Sequence, residues 1–345
     1  MLETEHLEHC KIIFILTLLF LTQSFPQNYP DKNIDRLLDQ GINNIIMEHY
    51  NEAEQIFGKL DSCYNELPLG KIYLAAVKIA EAYDYDEPFD KKFIEDNLDE
   101  ADSRADKLVE KDENNVWNIY LKALSIGYYA YYEVLNHNWL SAISKGFDSM
   151  HEFENCISID SNFYDAYAVL GTFKYWSSKK AESLKFLPFV SDDRKLGIEY
   201  LKKAINNSGY NSYLAINSLV WIYINEKNFN DARQLAERAL NKYPGSRFFM
   251  WGLARTLEEN DPGKAIEIYQ DIYNSYEAIN KLSFFHEILL KHLMAQQYAA
   301  LGKNEKALTL CNEILNKKDI PQYDEERINK RLERVEKLKE ELLKH

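Results

Sequence analysis

One spacing recurs along this chain and restricts what it can fold into. Ala232, Ala236 and Ala239 stand at steps of four and three, Pro244 follows, and Leu219 and Tyr223 precede them in a separate apolar run. Ala265, Tyr269 and Ile272 repeat those steps 33 residues later. Ala53, Phe57 and Leu60, behind Leu37 and Gly41, show the pattern near the start, and Ala307, Cys311 and Ile314 near the end. Steps of three and four place side chains on one face of a helix. Small residues on that face let a partner helix approach closely. A hairpin of two such helices cannot bury its apolar face alone, so copies of it have to stack.

The spacing resembles the tetratricopeptide repeat, a helix–turn–helix unit of about 34 residues. The resemblance implies an all-α solenoid of helical hairpins. About seven helix pairs are expected over residues 33–323, after a linker at 25–32 and before a capping helix over 324–345. Ile34, Leu37, Leu38, Ile42, Ile45 and Ile46 mark the first helix, with its partner over 51–60. Residues 66–83 and 96–110 form the second pair, 116–135 and 139–159 the third, and a helix from Phe163 to Trp176 opens the fourth. Residues 280–286 are expected to extend the first helix of the last pair. In the terminal helix Ile328, Leu332, Val335 and Leu338 lie on one side of an otherwise charged sequence, as a cap requires.

Composition narrows the function classes. A net charge of −14 argues against a nucleic-acid surface, because phosphate binding needs a basic face. With 12 Gly and 8 Pro the chain lacks the turn residues of a many-stranded β architecture. Its four cysteines, Cys10, Cys63, Cys156 and Cys311, show no metal or redox spacing and read as buried small side chains. Ile12 to Leu21 is an apolar run of ten residues, too short to span a bilayer but suited to a secretory signal over residues 1–24. The chain is therefore expected to be exported, with no membrane span after cleavage.

The repeat period breaks after Trp176. Roughly 14 extra residues precede the next match at Gly197, Leu201 and Ala204, and they contain Phe186, Leu187, Pro188, Phe189 and Val190. Insertions in solenoids fall in loops, often on the binding face. Tyr175, Trp176, Phe186, Leu187, Pro188, Phe189 and Arg194 are candidates for such an element, with Asp193 expected to cap the helix at Arg194. Residues 165–275 also resemble the eukaryotic tetratricopeptide proteins linked to the mitochondrial outer membrane and inclusion-body clearance. That likeness rests on Gly171 to Trp176, the Leu187–Val190 segment, Asp193-Arg194, Leu196-Gly197 and Tyr243 to Phe249. It implies repeat architecture and a structured loop, and it brings no catalytic residue.

Catalytic patterns are weak. His286-Glu287 opens like a zinc-protease motif, but Leu290 stands where the second histidine belongs. The acidic pairs Asp192-Asp193 and Glu258-Glu259 read as solvated. A binding groove is better supported. The chain holds 24 Tyr, with a local excess that includes Tyr128 and Tyr132, and tyrosine suits recognition surfaces. Asn217, Trp221, Arg247, Met250 and Ala254 are expected on the concave face of the first helices. The reading is a non-catalytic scaffold in a bacterial cell envelope, without cofactor or metal, holding a protein or peptide partner in that groove. A small-molecule or lipid-binding accessory of an envelope transport system is the alternative.

Overall fold

A computed structural model describes residues 27–180, 192–318, 320–321 and 325–344. The expected signal segment, Phe186, Leu187, Pro188 and Phe189 lie outside the described residues. Fifteen helices run through the described residues, without a strand. Pair one is α1 (Lys32–Ile46) and α2 (Tyr50–Cys63), pair two α3 (Leu69–Tyr85) and α4 (Lys91–Lys111), pair three α5 (Val116–Leu135) and α6 (Trp139–Ile159). Pair four is α7 (Tyr164–Lys180) and α8 (Arg194–Asn207), and pair five α9 (Ser212–Asn225) and α10 (Phe229–Lys242). Pair six is α11 (Arg247–Leu257) and α12 (Pro262–Ala278), pair seven α13 (Phe284–Ala300) and α14 (Asn304–Leu315), with α15 (Glu325–Leu342) last.

Local chemistry sets the helix starts. Asp31 accepts from the amides of Asn33 and Ile34, Asn115 from Trp117 and Asn118, and Asp261 from Lys264, relieving amides that the first turn leaves unpaired. Ser283 accepts from His286 and starts α13 at Phe284, so residues 280–283 are a turn and not the expected helical extension. Asp193 does not cap α8 with its side chain. Its amide instead donates to Ser178 Oγ at 3.0 Å, and the Arg194 amide reaches Asp192 Oδ1 at 3.3 Å.

Four pairs share one hairpin turn. Glu48, His137, Lys227 and Gly302 sit at φ between 56° and 68°, in the left-handed region. In each turn that residue's amide returns to the carbonyl three positions back, and the next amide to the carbonyl five back. This pairing satisfies the last carbonyls of the first helix and points the second helix back along it. Only one of the four turns uses glycine.

Small residues then bring the helices together. Ala53, Ala101, Ala232, Ala236, Ala265 and Ala307 are wholly buried. A β-carbon built on Gly171 would lie 2.7 Å from the Gly197 carbonyl oxygen, and one on Gly41 would lie 2.3 Å from Cζ of the Phe57 ring. One apolar core runs from α1 to α13, and a second joins α13, α14 and α15. Ile328 and Val335 are fully covered there, with Leu332 and Leu338 packed beside them, so α15 caps the last pair.

Candidate functional site

One side chain expected to line an open groove, Arg247, is instead used to close the solenoid on itself. Arg247, at the start of α11, is buried and donates from Nε to Asp84 Oδ1 (3.1 Å) and from Nη2 to Asp84 Oδ2 (2.6 Å). Asp84 lies near the end of α3, four helix pairs away in sequence. Tyr276 donates to the same carboxylate at 2.9 Å and lays its ring under the guanidinium, 4.6 Å from the ring centre. Glu48, from the turn of pair one, completes the hub. It accepts the Phe248 amide at 3.0 Å and has Ser246 Oγ at 3.2 Å and Arg247 at 3.9 Å. Ser246 Oγ donates to the Ile46 carbonyl at 2.7 Å. At the rim Lys281 pairs with Glu87 at 2.6 Å, and Arg327 of α15 pairs with Asp86.

Burial dominates the electrostatics of this hub. It pushes the Glu48 carboxyl up to about 7, against the opposing pull of Arg247. Burial also holds His286 below its usual range; its ring stacks on Tyr276 at 4.7 Å. Farther out in pair seven, burial lowers His292 to about 4, with Arg331 and Arg334 adding to the effect.

A second closure runs through the segment expected to be a free linker. Gln27 reaches Asp160, and the Tyr29 amide donates to the Tyr210 hydroxyl, which in turn bonds Asp35 in α1. The Tyr29 ring meets Trp117 edge-on at 5.0 Å. From Gln27 onward this strand is docked, not extended in water. Below it, Asp165 is buried and accepts three successive amides, Gly209, Tyr210 and Asn211, at 2.9, 2.9 and 2.6 Å. Burial still raises its carboxyl to about 6, although those bonds favour the charge.

Aromatic side chains fill the space between the closures. Phe57 stacks on Tyr73 at 4.7 Å, Tyr73 meets Tyr128 at 6.2 Å, and Tyr213 meets Phe248 at 6.1 Å. The hydroxyls of Tyr128 and Tyr213 face each other, and burial raises Tyr128 to about 12. Tyr128 is therefore wall filling. Tyr132, 2% exposed, turns away from it and packs on Phe89. Met250 lies against the core, Ala254 is buried, and Asn217 and Trp221 are half-buried on α9. The Oδ1 of Asn217 is sealed from solvent and meets no donor among the described residues. Of the expected groove set, Asn217, Trp221, Met250 and Tyr128 keep part of their surface, and Arg247 is an internal clasp.

The other candidates divide similarly. Tyr175 is buried and its hydroxyl bonds Glu226 and Asn225 on the next pair, while its ring meets Trp176 at 5.0 Å. Arg194 pairs with Asp192 at 2.7 Å. Glu258 is not a solvated acid: it accepts from the Tyr269 hydroxyl at 2.6 Å and pairs with Arg255. Cys156 and Cys311 are buried, but Cys63 is exposed. Among the described residues no group of three or more His, Cys, Asp or Glu is placed to hold a metal, and no helix is long and apolar enough to cross a membrane.

Two accessible concavities lie between helices away from the Arg247 hub. One cleft of about 490 Å³ opens between α8, α9 and α10, floored by Ile205, Leu219, Tyr223 and Leu235. Lys202, Asn206, Asp231, Gln234 and Arg238 rim it. A shallower one of about 680 Å³ lies between α1 and α2 and includes Gln40, Glu52 and Lys59. The sequence carried no sign of either closure: Asp84 stands among Glu81, Asp86 and Glu87, Asp35 between Asp31 and Asp39, and Glu48 in a turn, with no motif to set any of them apart.

Residues 219–246, the later half of α9 with α10, match the family model for the tetratricopeptide repeat. No characterised protein sequence matches the chain. Among solved structures, the type IV pilus biogenesis factor PilW is similar at 15% identity over 76% of this chain and 98% of its own, with a TM-score of 0.48. The C-terminal part of a repeat-containing protein from Cytophaga hutchinsonii is similar at 16% identity over 86% and 98%, with a TM-score of 0.40. Yeast Tom70 is similar at 17% identity over 92% and 66%, with a TM-score of 0.40. The matched repeat is the fifth of the seven helix pairs, the same turn and small-residue contacts recur before and after it, and the described residues form a tetratricopeptide-like helical solenoid.

Proposed function

We propose that this protein is a non-catalytic scaffold that holds a protein or peptide partner in its cleft between α8 and α10. The observation that carries this reading is the position of the open cleft. It lies between α8 and the repeat that matches the family model, while Arg247 is taken up by the chain's own Asp84. Its floor is apolar and its rim offers two cations, Lys202 and Arg238, against one acid, Asp231, beside the amides of Asn206 and Gln234. That combination suits an extended peptide segment carrying carboxylates, anchored by a few side chains and oriented by polar groups at the edge. The cleft is open and shallow, which disfavours the small-molecule alternative, since such ligands are enclosed over most of their surface.

An envelope location is part of the same proposal. It rests on the apolar run from Ile12 to Leu21 and the small polar residues after it. N-terminal sequencing of native protein should find a mature chain beginning near Phe25. For the partner site, a photo-crosslinking residue at Gln234 in the native organism should trap one protein, and Lys202→Glu with Arg238→Glu should abolish the adduct. Trapping from position 221 with none from 234 would return the partner to the inner wall and overturn this reading.

A further inference from the structure

The outer face of α6 carries an apolar stripe that the repeat fold leaves unused. Leu140, Ile143 and Phe147 stand at steps of three and four and are 85%, 56% and 62% exposed, with Trp139 beside them at 49%. Ordinary surfaces scatter such residues singly. No acid lies between Trp139 and Phe147, and the one cation there, Lys145, leans over the Tyr129 ring. A second cation, Lys180, lies over the Trp139 ring at 5.4 Å, and the stripe carries no acid along its length although the chain as a whole is strongly acidic.

We propose that this stripe is the contact surface for a second copy of the same chain, with α6 packed antiparallel on α6 across a two-fold axis near Ile143. The stripe is complementary to itself in that arrangement. Residue numbers equidistant from 143 meet, so Leu140 of one copy faces the level of Gly146 of the other, and Trp139 faces the level of Phe147. A β-carbon on Gly146 would have nothing within 4 Å, which leaves a gap for the Leu140 side chain. A two-fold axis requires such a patch to match itself, and steps of three and four are those that interlock helix on helix. The four side chains expose on the order of 500 Å² of apolar area per copy. A stable dimer commonly uses about 800 Å² per partner, so the association is weak and concentration-dependent.

Sedimentation equilibrium of the purified full chain tests this. The dimer fraction should rise across roughly 1–100 µM, and Ile143→Glu should leave a monomer with an unchanged melting temperature, because the side chain is on the surface. In a Cys10→Ser, Cys63→Ser background, Ser144→Cys sits beside the axis and should form an intermolecular disulfide under mild oxidation. Ser103→Cys, exposed on α4, should not. A chain that stays monomeric at the highest concentration overturns the proposal. So does a monomer in which the cysteine at 144 resists alkylation, since the chain itself would then cover the stripe. A monomer that binds lipid vesicles through Trp139 and Leu140, with loss on Leu140→Glu, overturns it in favour of a membrane surface.

Discussion

Gly171 and Gly197 face each other where α7 crosses α8, and replacing either tests whether the fourth pair is packed as the other repeats are. A methyl group on Gly171 would meet the Gly197 carbonyl oxygen at 2.7 Å, Leu201 Cγ at 2.8 Å and the Leu201 amide nitrogen at 3.0 Å. Two of these three are backbone atoms that cannot turn aside, so the helices have to separate by several tenths of an ångström. Overpacking of this kind costs about 1–3 kcal/mol. Alanine recovers about 1 kcal/mol of that through its better helix propensity. The expected result for Gly171→Ala is a net loss of about 1–2 kcal/mol, or roughly 2–8 °C in melting temperature for a unit of this size. Gly58 supplies the control. It also lies within a helix, α2, but nothing stands within 4 Å of its β-position. Gly58→Ala should therefore gain about 0.5–1 kcal/mol from propensity alone. Thermal unfolding followed by circular dichroism separates the two variants by sign. A Gly171→Ala protein as stable as Gly58→Ala would refute the close crossing of α7 on α8.

Three further expectations follow from other contacts. The Glu48 carboxyl is pushed up to about 7 by burial, so between its ordinary value near 4.5 and pH 7 the folded protein holds a proton that the unfolded chain has released. That stability is complete below about 4.5 and gone above about 7. Glu48→Gln should exceed the parent by about 1–3 kcal/mol at pH 8, with the gap closing toward pH 5 in urea titrations; a gap that stays constant with pH would count against a buried, neutral Glu48. Ala236, wholly buried in α10, leaves no room for a larger side chain, and Ala236→Leu should lose about 1–3 kcal/mol in the same assay. Lys227 is exposed at φ 59°. Lys227→Gly should be neutral or stabilising by up to about 1 kcal/mol, the left-handed backbone strain outweighing glycine's entropy cost; a clear loss would mean that this turn is not left-handed.

The parts of the fold legible in the sequence are those written in local spacing. Ala232, Ala236 and Ala239 face a partner helix because helical periodicity leaves them no other common face, and the same reasoning placed Ile328 and Val335 on the last repeat. The left-handed turn residues were hidden because Glu48, His137 and Lys227 carry side chains there, and only Gly302 marks the turn by residue type. Legibility fails most where the solenoid closes. Arg247 was placed in the groove because a first-helix position faces inward, and it does face inward. What spacing cannot reveal is how far the superhelix winds, and therefore whether an inward residue meets solvent or another repeat. That depends on small rotations summed over pairs one to six. In this chain the sum brings the ends of α3 and α11 within hydrogen-bonding distance, and an isolated arginine becomes one partner of a buried ion pair with Asp84. The same winding packs Tyr73, Tyr128 and Tyr213 together, and the open concavities lie elsewhere, between α8, α9 and α10 and between α1 and α2.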